Sequence, residues 1–214
     1  MKQLVRYPVF DGLDRCEVLH YASLHLDDSK KHFDAEEKAR RCKDLGANLF
    51  YHGKPHAVYQ TTHDAVSLCM VLLERNDSLS KLITPDGVFT VISAPHKHDI
   101  GYVKGVTPGE NFAARTPIHV VESMRVFGET IDKIGVPTGI NPDKVKLLGG
   151  LAIHKTNFPY TPEHEAEARL ILAKLTPELR KEAQIIRLLM QFADLGGQCA
   201  RVDYFPNGVK NLRD

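Results

Sequence analysis

Residues 88–98 read VFTVISAPHKH, and the fold class turns on them. A short apolar run rich in β-branched residues fits a buried strand or a buried helix, and periodicity alone does not separate the two. A strand needs a neighbour to take its backbone hydrogen bonds, and no other segment of the chain offers one. The run is therefore read as a buried helix, and the whole chain as all-α, a compact multi-helix bundle.

Outward from this run, proline and aspartate mark the helix starts. Pro55 opens a helix over about 55–74, with Val58, Ala65, Val66, Cys69, Met70 and Leu73 at helical spacing. Asp34, followed by Glu36 and Glu37, reads as the N-cap of a helix over 35–49. Thr116-Pro117, Asn141-Pro142, Thr161-Pro162 and Thr176-Pro177 open helices predicted to end near 134, 154, 174 and 195, the last stopped by Gly196-Gly197. Residues 77–87 read as a loop, and the glycine- and proline-rich stretch 100–117 as a loop of the active-site type. Residues 1–33 show no clean periodicity. They are read as a wrapping segment of loops and short helical pieces around a core of about 34–197, in one domain of 214 residues.

Composition narrows the function classes. Hydrophobic residues at 43% and charged residues at 26% are ordinary for a globular domain, and a net charge of +1 gives no basis for strong nucleic-acid binding. No stretch approaches the roughly 20 apolar residues that cross a membrane. The opening MKQLVRYPVFDG lacks the apolar core of a signal peptide. Cys16, Cys42, Cys69 and Cys199 form no Cys-x-x-Cys pair and read as reduced, mostly buried thiols. The expectation is a soluble cytoplasmic protein that binds no membrane; a homo-oligomer stays open.

The chemistry rests with the histidines, of which there are eleven. The pair His98-Asp99 closes the 88–98 run, His56 heads the 55–74 helix, and Asp194 stands in FADLG on the last predicted helix. A carboxylate on an apolar helix needs something positive opposite it. Imidazole and carboxylate together suit Zn, Mn, Fe or Ni better than Ca. Other readings compete. His63-Asp64 repeats the pair, but seven residues from His56 on one helix, so it reads as a helix-face feature or a supporting group. His96 reads as buried or supporting, His20, His25 and His32 as surface groups, and His164 as a solvated first-turn residue. Asp194 alone also fits a structural acid.

Taken in order, YHGKPHA at 51–57, APHKHDIG at 94–101 and FADLG at 192–196 resemble the HD superfamily of metal-dependent phosphohydrolases. In style they are closest to its cyclic-nucleotide phosphodiesterase branch. VTPGENF at 106–112 is similar to that branch's Pro-Gly-x-x-Asn loop. The resemblance spans about 50–197. It implies that His56, His98, Asp99 and Asp194 ligate the metal, that His52 donates a proton to the leaving oxygen, and that Asp99 also orients the nucleophile. It implies one or two divalent ions among Mn, Fe, Zn, Ni, Co and Mg; a second ion would engage His119 and His154. Lys104, Lys155 and Arg115 become candidates for phosphate contact. The implied reaction is hydrolysis of a phosphoester, of a nucleotide or a related small phosphate compound, by metal-activated water. Two other outcomes are a dinuclear iron oxygenase of the same fold and a catalytically weak metal-binding regulatory domain. Gly53 stands where the branch carries Asn, and no glutamine-phenylalanine clamp follows near the C-terminus. The substrate, monoester or cyclic diester, is thereby left open.

Overall fold

A computed structural model describes residues 13–41, 55–75, 78, 81–103, 118–157 and 159–200. The described residues are helical or in turns, with no strand among them, and pack as an all-α bundle. The helices are α1 (Arg15–Arg41), α2 (Thr61–Arg75), α3 (Pro85–Ser93), α4 (Ile100–Val103), α5 (His119–Ile134), α6 (Pro142–His154), α7 (Pro162–Leu172) and α8 (Pro177–Ala200). A π-helical turn, Pro55–Gln60, leads into α2, and a 3-10 turn, Pro95–Lys97, follows α3.

The stretch on which the fold class turns is a helix at the centre of the bundle. α3 packs against α1, α2, α6 and α8. Gly87, Val88, Phe89, Thr90, Val91 and Ser93 are all buried, as a helix enclosed on every side requires. Its hydroxyls survive burial by donating one turn back, Thr90 Oγ1 to the Asp86 carbonyl and Ser93 Oγ to the Phe89 carbonyl, both at 2.8 Å. Pro95 ends the regular helix, since it has no N–H to continue the ladder.

Five sequence expectations need correction. Residues 15–33 are not loops: they belong to the 27-residue α1. Its start is capped by Asp14, whose Oδ1 accepts from the Cys16 and Glu17 amides at 2.8 and 3.4 Å, so Asp34 lies inside the helix. The buried stripe of α1 contains His25 and Ser29 beside Val18 and Phe33. Polar residues on the inner face are what hid the periodicity. His25, expected at the surface, is fully buried, with Nε2 2.9 Å from the Gly135 carbonyl oxygen. The second half of the expected 35–49 helix lies outside the described residues.

α3 also begins earlier than expected, inside the 77–87 stretch. Thr84 caps it, with Pro85 in the first turn. α8 runs through Gly196-Gly197 to Ala200: glycine costs a helix only about 1 kcal/mol and, unlike proline, keeps its N–H. The starts at Asn141-Pro142, Thr161-Pro162 and Thr176-Pro177 hold, whereas Thr116-Pro117 lies outside the described residues and α5 is described from His119. Asn141 Oδ1 accepts from the Asp143 and Lys144 amides at 3.0 and 3.2 Å. Thr161 and His164 form a capping box at the head of α7, which gives His164 a structural task beyond solvation. Gly135, at φ 88°, closes α5 in the left-handed region. No described helix is long and apolar enough to cross a membrane.

Candidate metal centre

Three remote segments converge on one buried point. The π-helical turn supplies His56, the chain just after the 3-10 turn supplies His98 and Asp99, and α8 supplies Asp194. All four are buried, between 1% and 6% exposed. His56, His98 and Asp194 each offer a ligand atom within 4.8 Å of the others. Asp194 Oδ1 lies between the imidazoles, 3.0 Å from His56 Nε2 and 3.4 Å from His98 Nε2. The two rings stand edge to face with centroids 5.5 Å apart. Asp99 stands against the same ring nitrogen, its Oδ2 3.2 Å from His98 Nε2. It therefore touches the group through His98 without being one of the three.

Local sequence explains why these atoms face inward. Pro95 tightens the chain after α3 into a 3-10 turn, and its carbonyl lies 2.6 Å from His98 Nδ1. A carbonyl only accepts, so Nδ1 carries the proton and Nε2 presents its lone pair to the interior. That Nε2 is buried and makes no aligned hydrogen bond. π-turns such as the one holding His56 recur at functional sites because they rotate side chains out of the regular helical register.

The electrostatics call for a cation. Burial alone would push His98 down, but the charges of Asp99 and Asp194 outweigh it and hold its pKa well above the usual histidine range. Burial would raise Asp194, yet the charge of His98 and the hydrogen bond from His56 bring it to about 2. A proton on His98 offsets part of the charge of the two carboxylates. A divalent ion bound to His56, His98 and Asp194 does the same with more charge, and both the ligand types and the orphaned Nε2 fit that role.

The supporting layer contains residues that the sequence reading did not single out. Lys97, fully buried beside two histidines, donates to Asp28 Oδ2 on α1 at 2.5 Å. Burial would raise the Asp28 pKa; the hydrogen bond and charge of Lys97 bring it down to about 2. His96 Nδ1 lies 2.8 Å from Ser29 Oγ, which confirms His96 as a buried supporting group. Burial, together with the charge of Lys97, holds its ring well below the usual histidine range. α1 thus anchors both residues that precede His98. A lysine inside the apolar stretch 88–98 was the available signal, since a buried ammonium requires a carboxylate.

The other candidates stand elsewhere. His119 is buried at the head of α5 with its ring stacked on Tyr102, centroids 3.9 Å apart, and is not in the three-residue group. His154 ends α6 with Nε2 3.3 Å from Glu167 Oε2, and is not in that group either. Lys155 Nζ sits over the Tyr160 ring, 3.5 Å from its centroid and 3.7 Å from Glu165 Oε2. His52, Lys104 and Arg115 lie outside the described residues. His63 is exposed and bonded to its neighbour Asp64 at 3.0 Å, the helix-face feature expected; its exposure argues against a supporting role. Cys69 is buried, whereas Cys16 is exposed. No protein-family model, curated protein or solved structure matches the chain.

Proposed function

We propose that this protein is a metal-dependent phosphohydrolase of the HD type, acting on a nucleotide or a related small phosphoester. The observation that carries the reading is the meeting of His56, His98 and Asp194, with Asp99 against His98, from segments up to 138 residues apart. These are the four positions to which the ordered motifs YHGKPHA, APHKHDIG and FADLG assign a metal. A divalent ion held there, from among Mn, Fe, Zn, Ni, Co and Mg, supplies an acidified water and charge neutralisation at the phosphoryl oxygens.

The protein's own groups have separate tasks in this reading. His56, His98 and Asp194 hold the ion. Asp99 orients the attacking water and keeps the His98 ring in place. His52 hands a proton to the departing oxygen. Lys104, Lys155 and Arg115 offset phosphate charge, Lys155 from its seat on Tyr160. The ring of His98 is fixed by the Pro95 carbonyl, and the Lys97–Asp28 pair holds the segment that carries it.

The test is a phosphoester panel run on protein loaded in turn with Mn, Fe, Zn, Ni, Co and Mg. The panel holds nucleoside monophosphates, cyclic nucleotides and simple phosphate monoesters, with His98→Ala as control. Metal-dependent release of phosphate or ring opening, absent from the control, supports the reading. A metal-loaded protein no more active than its control on every ester would sink it.

A further inference from the structure

Arg187 precedes Asp194 by seven residues on α8, two turns along the same helix face and about 10 Å away along the axis. It is only 4% exposed, and an arginine at that depth has five N–H groups to satisfy. Nη2 donates to Tyr160 Oη at 2.6 Å and to Glu165 Oε2 at 3.1 Å. Nε, equally buried, has no acceptor among the described residues.

His154 borders the same tyrosine from the end of α6, ring centroids 6.0 Å apart. Its Nε2 faces the Glu167 carboxylate, which accepts the proton, so the neutral ring carries a bare lone pair on Nδ1. That Nδ1 is also buried and has no partner among the described residues. His164 completes a triad of rings, 5.6 Å from Tyr160 and 5.8 Å from His154. One donor without an acceptor and one acceptor without a donor thus flank Tyr160.

The chemistry of a matching ligand group follows by elimination. An anion would suit Arg187 but oppose the lone pair of His154. A cation would suit His154 but oppose Arg187 and Lys155. A hydroxyl takes one hydrogen bond and gives one, and meets both needs. We propose that Arg187 and His154 form a subsite for a substrate hydroxyl, on the sugar or polyol part of the molecule whose phosphate meets the His56–His98–Asp194 group. The inference rests on the hydrolase reading and narrows it to hydroxyl-bearing phosphoesters.

The experiment compares substrates that differ by hydroxyls alone: ribonucleoside 5′-monophosphates against their 2′- and 3′-deoxy forms, and glycerol phosphate against propyl phosphate. The full metal-loaded chain is expected to prefer the hydroxylated member of at least one pair by about ten- to a hundredfold in kcat/KM, the scale of a buried polar pair left unmet. His154→Leu and, separately, Arg187→Met are each expected to bring that ratio close to one while changing kcat/KM for the deoxy member only a few-fold. Equal kcat/KM within every pair in the unmodified protein overturns the subsite and leaves the hydrolase reading standing, whatever the variants do. A preference that survives intact in a folded His154→Leu protein overturns it too. So does an ordered water that bridges Arg187 Nε and His154 Nδ1 and stays when substrate is bound. Failure to hydrolyse any of these esters or the wider panel overturns the hydrolase reading and the subsite together.

Discussion

Asp99 and Asp194 are both carboxylates at the same buried point, yet their substitution should read differently. Asp194 lies between two imidazoles, whereas Asp99 stands against His98 and, in the proposed reaction, also orients water. Asp99→Ala is expected to abolish hydrolysis while keeping more of its metal than Asp194→Ala does; an Asp99→Ala protein with full kcat would remove its role in the reaction. His52→Ala is expected to keep its metal but slow turnover by about 10²–10⁴-fold, the usual scale for loss of a general acid. Unchanged kcat in that protein would take the proton-donor role away from His52. A third residue tests the support beneath the site. Asp28→Asn leaves the fully buried Lys97 without its carboxylate and should cost about 3 kcal/mol of stability, read as a lower denaturation midpoint. The sign of its pH dependence is set by the depressed pKa. Asp28 sits at about 2 in the folded protein, against an ordinary value near 3.9. Its stabilisation is complete above the ordinary value and disappears as pH falls from about 4 through 2. The gap between the two proteins should therefore close over that window; a gap that stays constant from pH 6 to pH 2 would contradict the pairing.

Among the elements, the close approaches are made at glycines. A Cβ on Gly101 would lie 2.0 Å from the His119 carbonyl oxygen, where α4 meets the head of α5. Gly149 brings α6 onto the Phe127 ring of α5, so close that a Cβ there would lie 2.1 Å from the ring. Gly101→Ala and Gly149→Ala should each destabilise by about 1–3 kcal/mol through overpacking. The first strains the chain two residues after Asp99 by pressing on the His119 backbone, so it should also weaken metal retention. Equal midpoints for Gly101→Ala and the parent protein would mean that the two helices are not packed as described. The elements also show what sequence can and cannot disclose. Starts marked by a capping side chain and proline are legible because a cap is a local device: Asn141-Pro142 and Thr161-Pro162 give their helices directly. Thr84-Pro85 carries the same mark, but it lies inside a polar stretch that reads as loop to its end. α1 escapes because its buried face holds His25 and Ser29, whose partners come from distant parts of the chain and leave no trace in local periodicity. The same reason hides the Lys97–Asp28 pair, while His56, His98, Asp99 and Asp194, the residues of the candidate site, stand in motifs that bring them to notice. His119 and His154 stand in plausible order as well, but chain order does not determine where a ring points: one stacks on Tyr102 and the other turns to Glu167.

For the whole molecule, the bundle works as a clamp. α3 fills its centre, α8 packs along α2 and α6, and α1 braces the turn that leads to His98. Three helical units then bring imidazole, imidazole and carboxylate to one interior point. Burying those groups is costly without a compensating cation, so metal occupancy and fold stability should rise together. The most direct test of the central claim is metal content by mass spectrometry on the purified chain after incubation with first-row divalent ions and removal of excess, with folded His98→Ala and Asp194→Ala proteins alongside. One tightly held ion per chain is predicted in the parent protein, with loss of most of it in both variants. A parent protein that takes up no ion, or variants that hold it as well as the parent does, would contradict a metal centre at His56, His98 and Asp194.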